Sequence, residues 1–284
     1  MGVIRVLLEN SIVPDLIAGT SIGAIIGAML ACHGTVEAVA QKMQDYIASD
    51  SFKKIGIDLF SEDNGKSKYD GLLDALSHII RKEIFFNISL THHQSYVSLD
   101  AYLDNINLLI DDIDIQDTKI PLAIICTDVH AGEMAVLTKG SLRKAVAASS
   151  AIPGIFPPIN FEGKLLLDGG WVNQLPAGPC RDFGADLVIA VDVANELQQE
   201  FSHESGLDLI RRSNSITRNL LTRMQSREAD ILITPDVGKL SWVSYECIDS
   251  CINIGETAAR KELPAIKKKI AEGRSSLISH FFSR

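Results

Sequence analysis

From Leu16 to Val36 the chain carries no formal charge at neutral pH. A stretch of that length leaves water either by entering a bilayer or by becoming the centre of a folded domain. As a membrane span it meets the roughly 20 residues that a bilayer core requires, and Gly19, Gly23 and Gly27 repeat at the spacing of a helix-packing face. As a soluble core it divides in two. The apolar run Leu16-Ile17-Ala18 stops at Gly19, and an Ala/Ile/Gly run suited to a helix follows from Ser21 to about Cys32. Polar Thr20, Ser21 and His33 favour this second reading, because few strongly hydrophobic residues follow one another. The segment is therefore expected to form strand, tight turn and helix.

The rest of the chain fits that choice. A chain of 284 residues with 46% hydrophobic residues can bury a core of its own, and residues 1–284 are read as a single domain. The net charge of -9 has the wrong sign for general attraction to phosphate backbones, so no nucleic-acid partner is expected. Cys32, Cys126, Cys180, Cys247 and Cys251 are scattered and odd in number, and no secretory signal opens the sequence. That pattern suits a reduced, cytoplasmic setting. Cys247 and Cys251 share a helical face but have no histidine nearby to complete a zinc set, so no metal is assigned.

Periodicity predicts helices over Gly2–Asn10, Thr35–Ala48, Tyr69–Lys82, Ser98–Leu109 and Ser141–Ser149, and a polar loop over Ser61–Lys68. Pro121–Thr127 and Glu133–Thr138 read as strands joined at Gly132. Leu187–Val193 is the strongest buried-strand run, and Ile231–Ile233 is a further strand. Residues 205–228 read as a polar-faced helix, and Glu246–Glu272 as a terminal helix interrupted at Pro264. Such alternation argues for layered α/β structure with a mostly parallel central sheet, whose sites form at the carboxyl ends of strands.

Gly19-Thr20-Ser21-Ile22-Gly23 fits G-x-S-x-G between a strand and a helix. A serine in that turn is held in strained backbone, its flanking glycines permit close approach, and the helix N-terminus supplies amides, with Ile22 N–H as the natural oxyanion donor. The same residues also suit a plain glycine-rich turn that packs a helix on a sheet. Of the seven histidines, chain order favours His203 or His280 as a base, yet both lie in polar or terminal sequence that suits exposed surface. Asp168 follows Leu165-Leu166-Leu167 and precedes Gly169-Gly170, which places a carboxylate at a strand end. By itself that pattern equally describes an ordinary Asp-Gly turn.

Three blocks together resemble the patatin-like phospholipases, most closely their bacterial neuropathy-target-esterase-like branch. They are GVIRVLLENSIVPDLIAGTSIGAIIGAML, TDVHAGEMAVLTKGSLRKAVAASSAIPGIFPPI and LLLDGGWVNQLPAGPCRDFGADLVIAVDV. The resemblance implies a patatin-like layered α/β fold and a Ser-Asp dyad formed by Ser21 and Asp168, with no histidine and no cofactor. It implies hydrolysis of phospholipid or lysophospholipid esters through an acyl-enzyme. The loosely matched helical stretch 50–119 would then be an insert or lid.

Members of the family begin with a strand and a loop of the form G-G-G-x-R/K-G, whose amides form the main oxyanion hole. No such loop precedes the helix at Gly2. The resemblance thus implies a missing central strand and an exposed apolar edge beside Leu16–Ala18. It leaves two expectations: a start further upstream, or a form with impaired catalysis that binds lipid without normal turnover. Lys267-Lys268-Lys269, with Arg260, Lys261 and Arg274, is the candidate patch for peripheral contact with the inner face of the membrane.

Overall fold

A computed structural model describes residues 1–55, 95–194, 206–238 and 247–282. The predicted loop Ser61–Lys68 and helix Tyr69–Lys82 lie outside the described residues, as does most of the expected lid. The uncharged segment folds as strand β1 (Ile17–Thr20) and helix α2 (Ile22–His33), which buries Ala24, Ala28, Met29, Leu30 and Ala31. Among the described residues no helix is long and apolar enough to cross a membrane. Gly34, at φ 79, ends α2 in the left-handed conformation that glycine adopts without a Cβ penalty.

Helices α3 (Val36–Ala48) and α4 (Asp50–Ile55) follow, then α5 (Leu99–Leu109) after the undescribed stretch. Thr35 and Ser98 cap α3 and α5 by accepting bonds from Ala38 and Ala101 amides. Strand β2 (Leu122–Asp128) is buried along nearly its whole length. It pairs in parallel with β1, Ile17 opposite Leu122 through Thr20 opposite Ile125. The chain then turns back through Gly132 (φ 70) into β3 (Glu133–Leu137). Helix α6 (Leu142–Ser149) leads to the hairpin β4 (Ile159–Phe161) and β5 (Lys164–Asp168), joined at Glu162-Gly163, both at positive φ. β3, β4 and β5 are joined antiparallel because short turns deliver two of them, whereas the parallel pairs β1·β2 and β6·β7 are reached by longer crossovers. The layered α/β class is as expected, with parallel pairing where the chain crosses over and antiparallel pairing where it turns tightly.

One consequence of the register positions everything that follows. β3 covers Ile124 to Asp128 on one edge of β2, so β1 and β5 both occupy the other edge. β1 ends with Thr20 opposite Ile125, and β5, running the other way, ends with Asp168 opposite Cys126. The two strands therefore abut end to end.

Helix α7 (Ala177–Asp182) precedes β6 (Ile189–Val191), α8 (Gly206–Gln225) precedes β7 (Ile231–Ile233), and α9 (Ile248–Phe282) closes the chain. The run Leu187–Val193 is a strand over three residues only. β7 pairs one edge of β6, no described strand pairs the other, and Val193 is 53% exposed. Two-sided burial is expected of this run because all its residues but Asp192 are apolar, yet it requires both faces of the sheet to be covered, and only Val188 and Ala190 are buried.

α9 passes through Pro264 without the expected interruption. Proline removes one helical N–H bond, while fully buried Ala259 and Ile266 anchor the helix on either side of it. α1 (Gly2–Glu9), with Asn10 as its C-cap, packs on α9. A Cβ on Gly2 would lie 1.9 Å from the Ile252 carbonyl oxygen, so glycine sets the closeness of the crossing. Arg5 donates to Glu256 at 2.7 Å and Arg260 to Glu9 at 3.0 Å across the same contact.

Candidate active site

Ser21 sits at φ 53, ψ -120, between β1 and α2. For a residue with a Cβ this backbone is strained and persists only where the surroundings hold it. Here they do. The Ser21 amide donates to Ser149 Oγ at 3.0 Å, and that hydroxyl donates to the Ile125 carbonyl at 2.6 Å, which ties the turn to α6 and β2. Thr20 Oγ1 donates to the Asn173 carbonyl at 2.8 Å on the other side. A Cβ on Gly19 would lie 2.5 Å from the Gly23 carbonyl oxygen, so glycine lets the first turn of α2 close over the strand. Gly23 differs from that expectation. It is exposed and a Cβ there would meet nothing within 4 Å, so packing does not require glycine at this position.

Asp168 is 6% exposed at the end of β5. Its Oδ1 accepts the Gly170 amide at 2.8 Å, and its carbonyl accepts Thr127 Oγ1 at 2.8 Å. A Cβ on Gly169 would lie 2.3 Å from the Ile125 carbonyl oxygen, the atom that Ser149 holds, so only glycine lets the chain leave β5 this close to β2. Burial pushes the Asp168 carboxyl above its ordinary value, while the neighbouring Ser21 side chain, the Gly170 amide and the charge of Arg218 pull the other way.

Ile22 and Gly23 open α2, and helix N-terminal amides lack an acceptor within their own helix. Ile22 is 47% exposed and Trp171, just past the glycine pair, 43%. These apolar surfaces and Ser21, Asp168 and Arg218 line one cleft of about 3090 Å³. Ligand pockets run to about 1,000 Å³, so this space exceeds a substrate site. Its walls include the edges of β1 and β6 that pair with no strand among the described residues. No histidine lines it among the described residues. His33 instead pairs with Asp111 at 3.4 Å, and His203, His92 and His93 lie outside the described residues.

Sequence reasoning brought out Ser21, Asp168 and their glycines but not Ser149 or Arg218. Ser149 lies in the small-residue run AVAASSA, where the only signal was a hydroxyl at a helix end next to the aspartate-bearing hairpin. Arg218 sits on a helix with several arginines and nothing local to distinguish it.

The sequence pattern of the patatin-like phospholipases matches residues 1–181. The mouse patatin-like phospholipase domain-containing protein 7 is 30% identical over 205 residues, covering 72% of this chain and 13% of its own length. Human patatin-like phospholipase domain-containing protein 6 is 28% identical over 204 residues, covering 71% of this chain and 13% of its own. The Drosophila melanogaster neuropathy target esterase sws is 29% identical over 198 residues, covering 69% and 12%. The chain thus spans about an eighth of the length of these relatives. With a match that takes in both Ser21 and Asp168, the chain belongs to the patatin-like phospholipase family.

Proposed function

We propose that this chain is a serine hydrolase of lipid esters, acting on phospholipid or lysophospholipid with Ser21 as nucleophile and Asp168 as base. The observation that carries it is a serine held in strained backbone at the end of β1, where the abutting end of β5 delivers the buried carboxylate of Asp168. Ser21 Oγ attacks the ester carbonyl as its proton passes to Asp168, and the oxyanion forms against the Ile22 amide, with Gly23 beside it. Asp168 returns the proton to the departing alcohol. A water then loses a proton to Asp168, attacks the acyl-enzyme and restores Ser21. An ordinary carboxylate is a weak base near pH 7, so the upward push from burial serves this role.

No further group is needed for these steps. The amides at the start of α2 lie beside Ser21 and serve as oxyanion donors in this reading. The cytoplasmic setting and the bacterial side of the neuropathy-target-esterase-like branch rest on sequence alone. Contact with a membrane through the basic cluster belongs to the same proposal. Its cations are partly matched within the fold: Lys267 donates to Asn10 at 2.8 Å, and Lys269 pairs with Asp230 at 3.4 Å and Lys268 with Glu272 at 3.8 Å.

A fluorophosphonate probe tests the central claim. Labelling at Ser21 that disappears in Ser21→Ala, together with ester hydrolysis across a panel of p-nitrophenyl esters and lysophospholipids, is the expected result. Folded protein that neither labels nor turns over overturns the hydrolase reading and favours a non-catalytic relative.

A further inference from the structure

Arg218 reaches from α8 over the ring of Trp171, its Cζ 5.9 Å from the ring centroid. A Cβ on Gly170 would lie 3.5 Å from its Nη2, which puts the guanidinium next to the backbone that donates to Asp168. Among the described residues no carboxylate lies within ion-pair distance of it, whereas Arg5, Arg143, Arg181 and Arg260 each have such a partner. An exposed cation is therefore fixed at the mouth of a cleft that also presents Ser21, Ile22 and Trp171. Nucleophile, apolar surface and planar cation in one place match the chemistry of an anionic amphiphile, and a guanidinium binds phosphate oxygens through two parallel bonds.

We propose that Arg218 binds the headgroup phosphate of the lipid ester whose acyl bond is presented to Ser21, so that phosphate-bearing lipids are preferred over neutral glycerides. This rests on the hydrolase reading. In glycerolipids the ester and the phosphate are joined through the glycerol backbone, so a carbonyl at Ser21 carries the phosphate toward the next cleft-facing group. Trp171 keeps the guanidinium from folding away by the attraction of its ring face. The rival role, a counter-ion to Asp168 alone, makes a different prediction, because it affects every substrate alike.

Two measurements separate these roles. In steady-state assays the ratio of kcat/KM for a lysophospholipid to that for a monoacylglycerol is expected to fall about tenfold or more in Arg218→Gln, the scale of a charge-assisted hydrogen bond, with partial recovery in Arg218→Lys. Loss of both activities in equal proportion overturns the proposal. Independently of turnover, calorimetry of the full chain compares an alkylglycerol phosphate, the same alkylglycerol without phosphate, and inorganic phosphate. Tightest binding of the phosphate lipid, by about tenfold, lost in Arg218→Gln, is expected. Equal binding of the two ethers, or of free phosphate and the phosphate lipid, overturns it. If wild-type protein hydrolyses neither ester, the hydrolase reading fails while the binding comparison still decides the role of Arg218.

Discussion

The two edges of β1 are opposite cases. Along β2 the edge is filled, and the residues at its end are dictated by something in contact: Gly19 by the turn of α2, Gly169 by the Ile125 carbonyl, Ser21 by Ser149. The other edge faces the cleft, and β6 borders the same space with an unpaired edge of its own among the described residues. Both strands run parallel to their partners, β2 and β7. Chemistry is specified on the filled side by local crowding, whereas the open side asks for a partner that local sequence does not name. Open edges are also where unwanted pairing begins.

The largest effect is expected at the centre of the filled side. Asp168→Asn keeps the shape and removes the proton acceptor, and a fall of about 10³- to 10⁴-fold in kcat is expected by steady-state assay, as for other members of catalytic sets that act as a unit. Its folding stability should move the other way. Because burial raises the Asp168 carboxyl above 3.8 in the folded protein, the folded state favours the protonated form. The cost of burying the charge is absent below the unfolded value and fully present above the raised one. Denaturant titrations near neutral pH should therefore find Asp168→Asn at least as stable as the wild type. Hydrolysis should fall on acidification through that raised value.

Glycine substitutions then sharpen the contrast within the site. Gly169→Ala must force its Cβ against the Ile125 carbonyl and is expected to lose about 3 kcal/mol in denaturant unfolding. Gly23→Ala, which meets open space, should lose less than about 1 kcal/mol. Equal losses would contradict the assignment of these two positions to crowding and to exposure.

The smallest effect concerns the basic cluster. Lys267→Glu with Lys269→Glu breaks exposed contacts to Asn10 and Asp230, and a change below about 1 kcal/mol is expected. Retention of more than half the binding to vesicles of anionic lipid would show that these cations serve the fold rather than a membrane.

What was legible in the sequence follows the same division. Ser21, Asp168 and the elements around them could be read because glycine spacing and strand-turn-helix order are local signals. The abutment of β1 and β5 was not legible, since it depends on β3 taking the far edge of β2, a pairing between residues distant from both motifs. Arg218 was hidden for a related reason: its partner is an aromatic ring on another segment. Pro264 misled because a local rule, that proline ends helices, was outweighed by burial on either side of it.

The clasp between α1 and α9 bears on how the protein is made. Arg5 meets Glu256 across 251 positions of chain, so during synthesis α1 waits for α9 before it can bury Val3 and Val6. Until then β1 has no cover from that end, and the nascent chain exposes its most apolar stretch. Contacts this distant slow folding and prolong the interval in which aggregation competes. The protein should accordingly depend on chaperones during translation more than its finished core suggests, and a ribosome stalled before residue 248 should hold an α1 that remains open to protease.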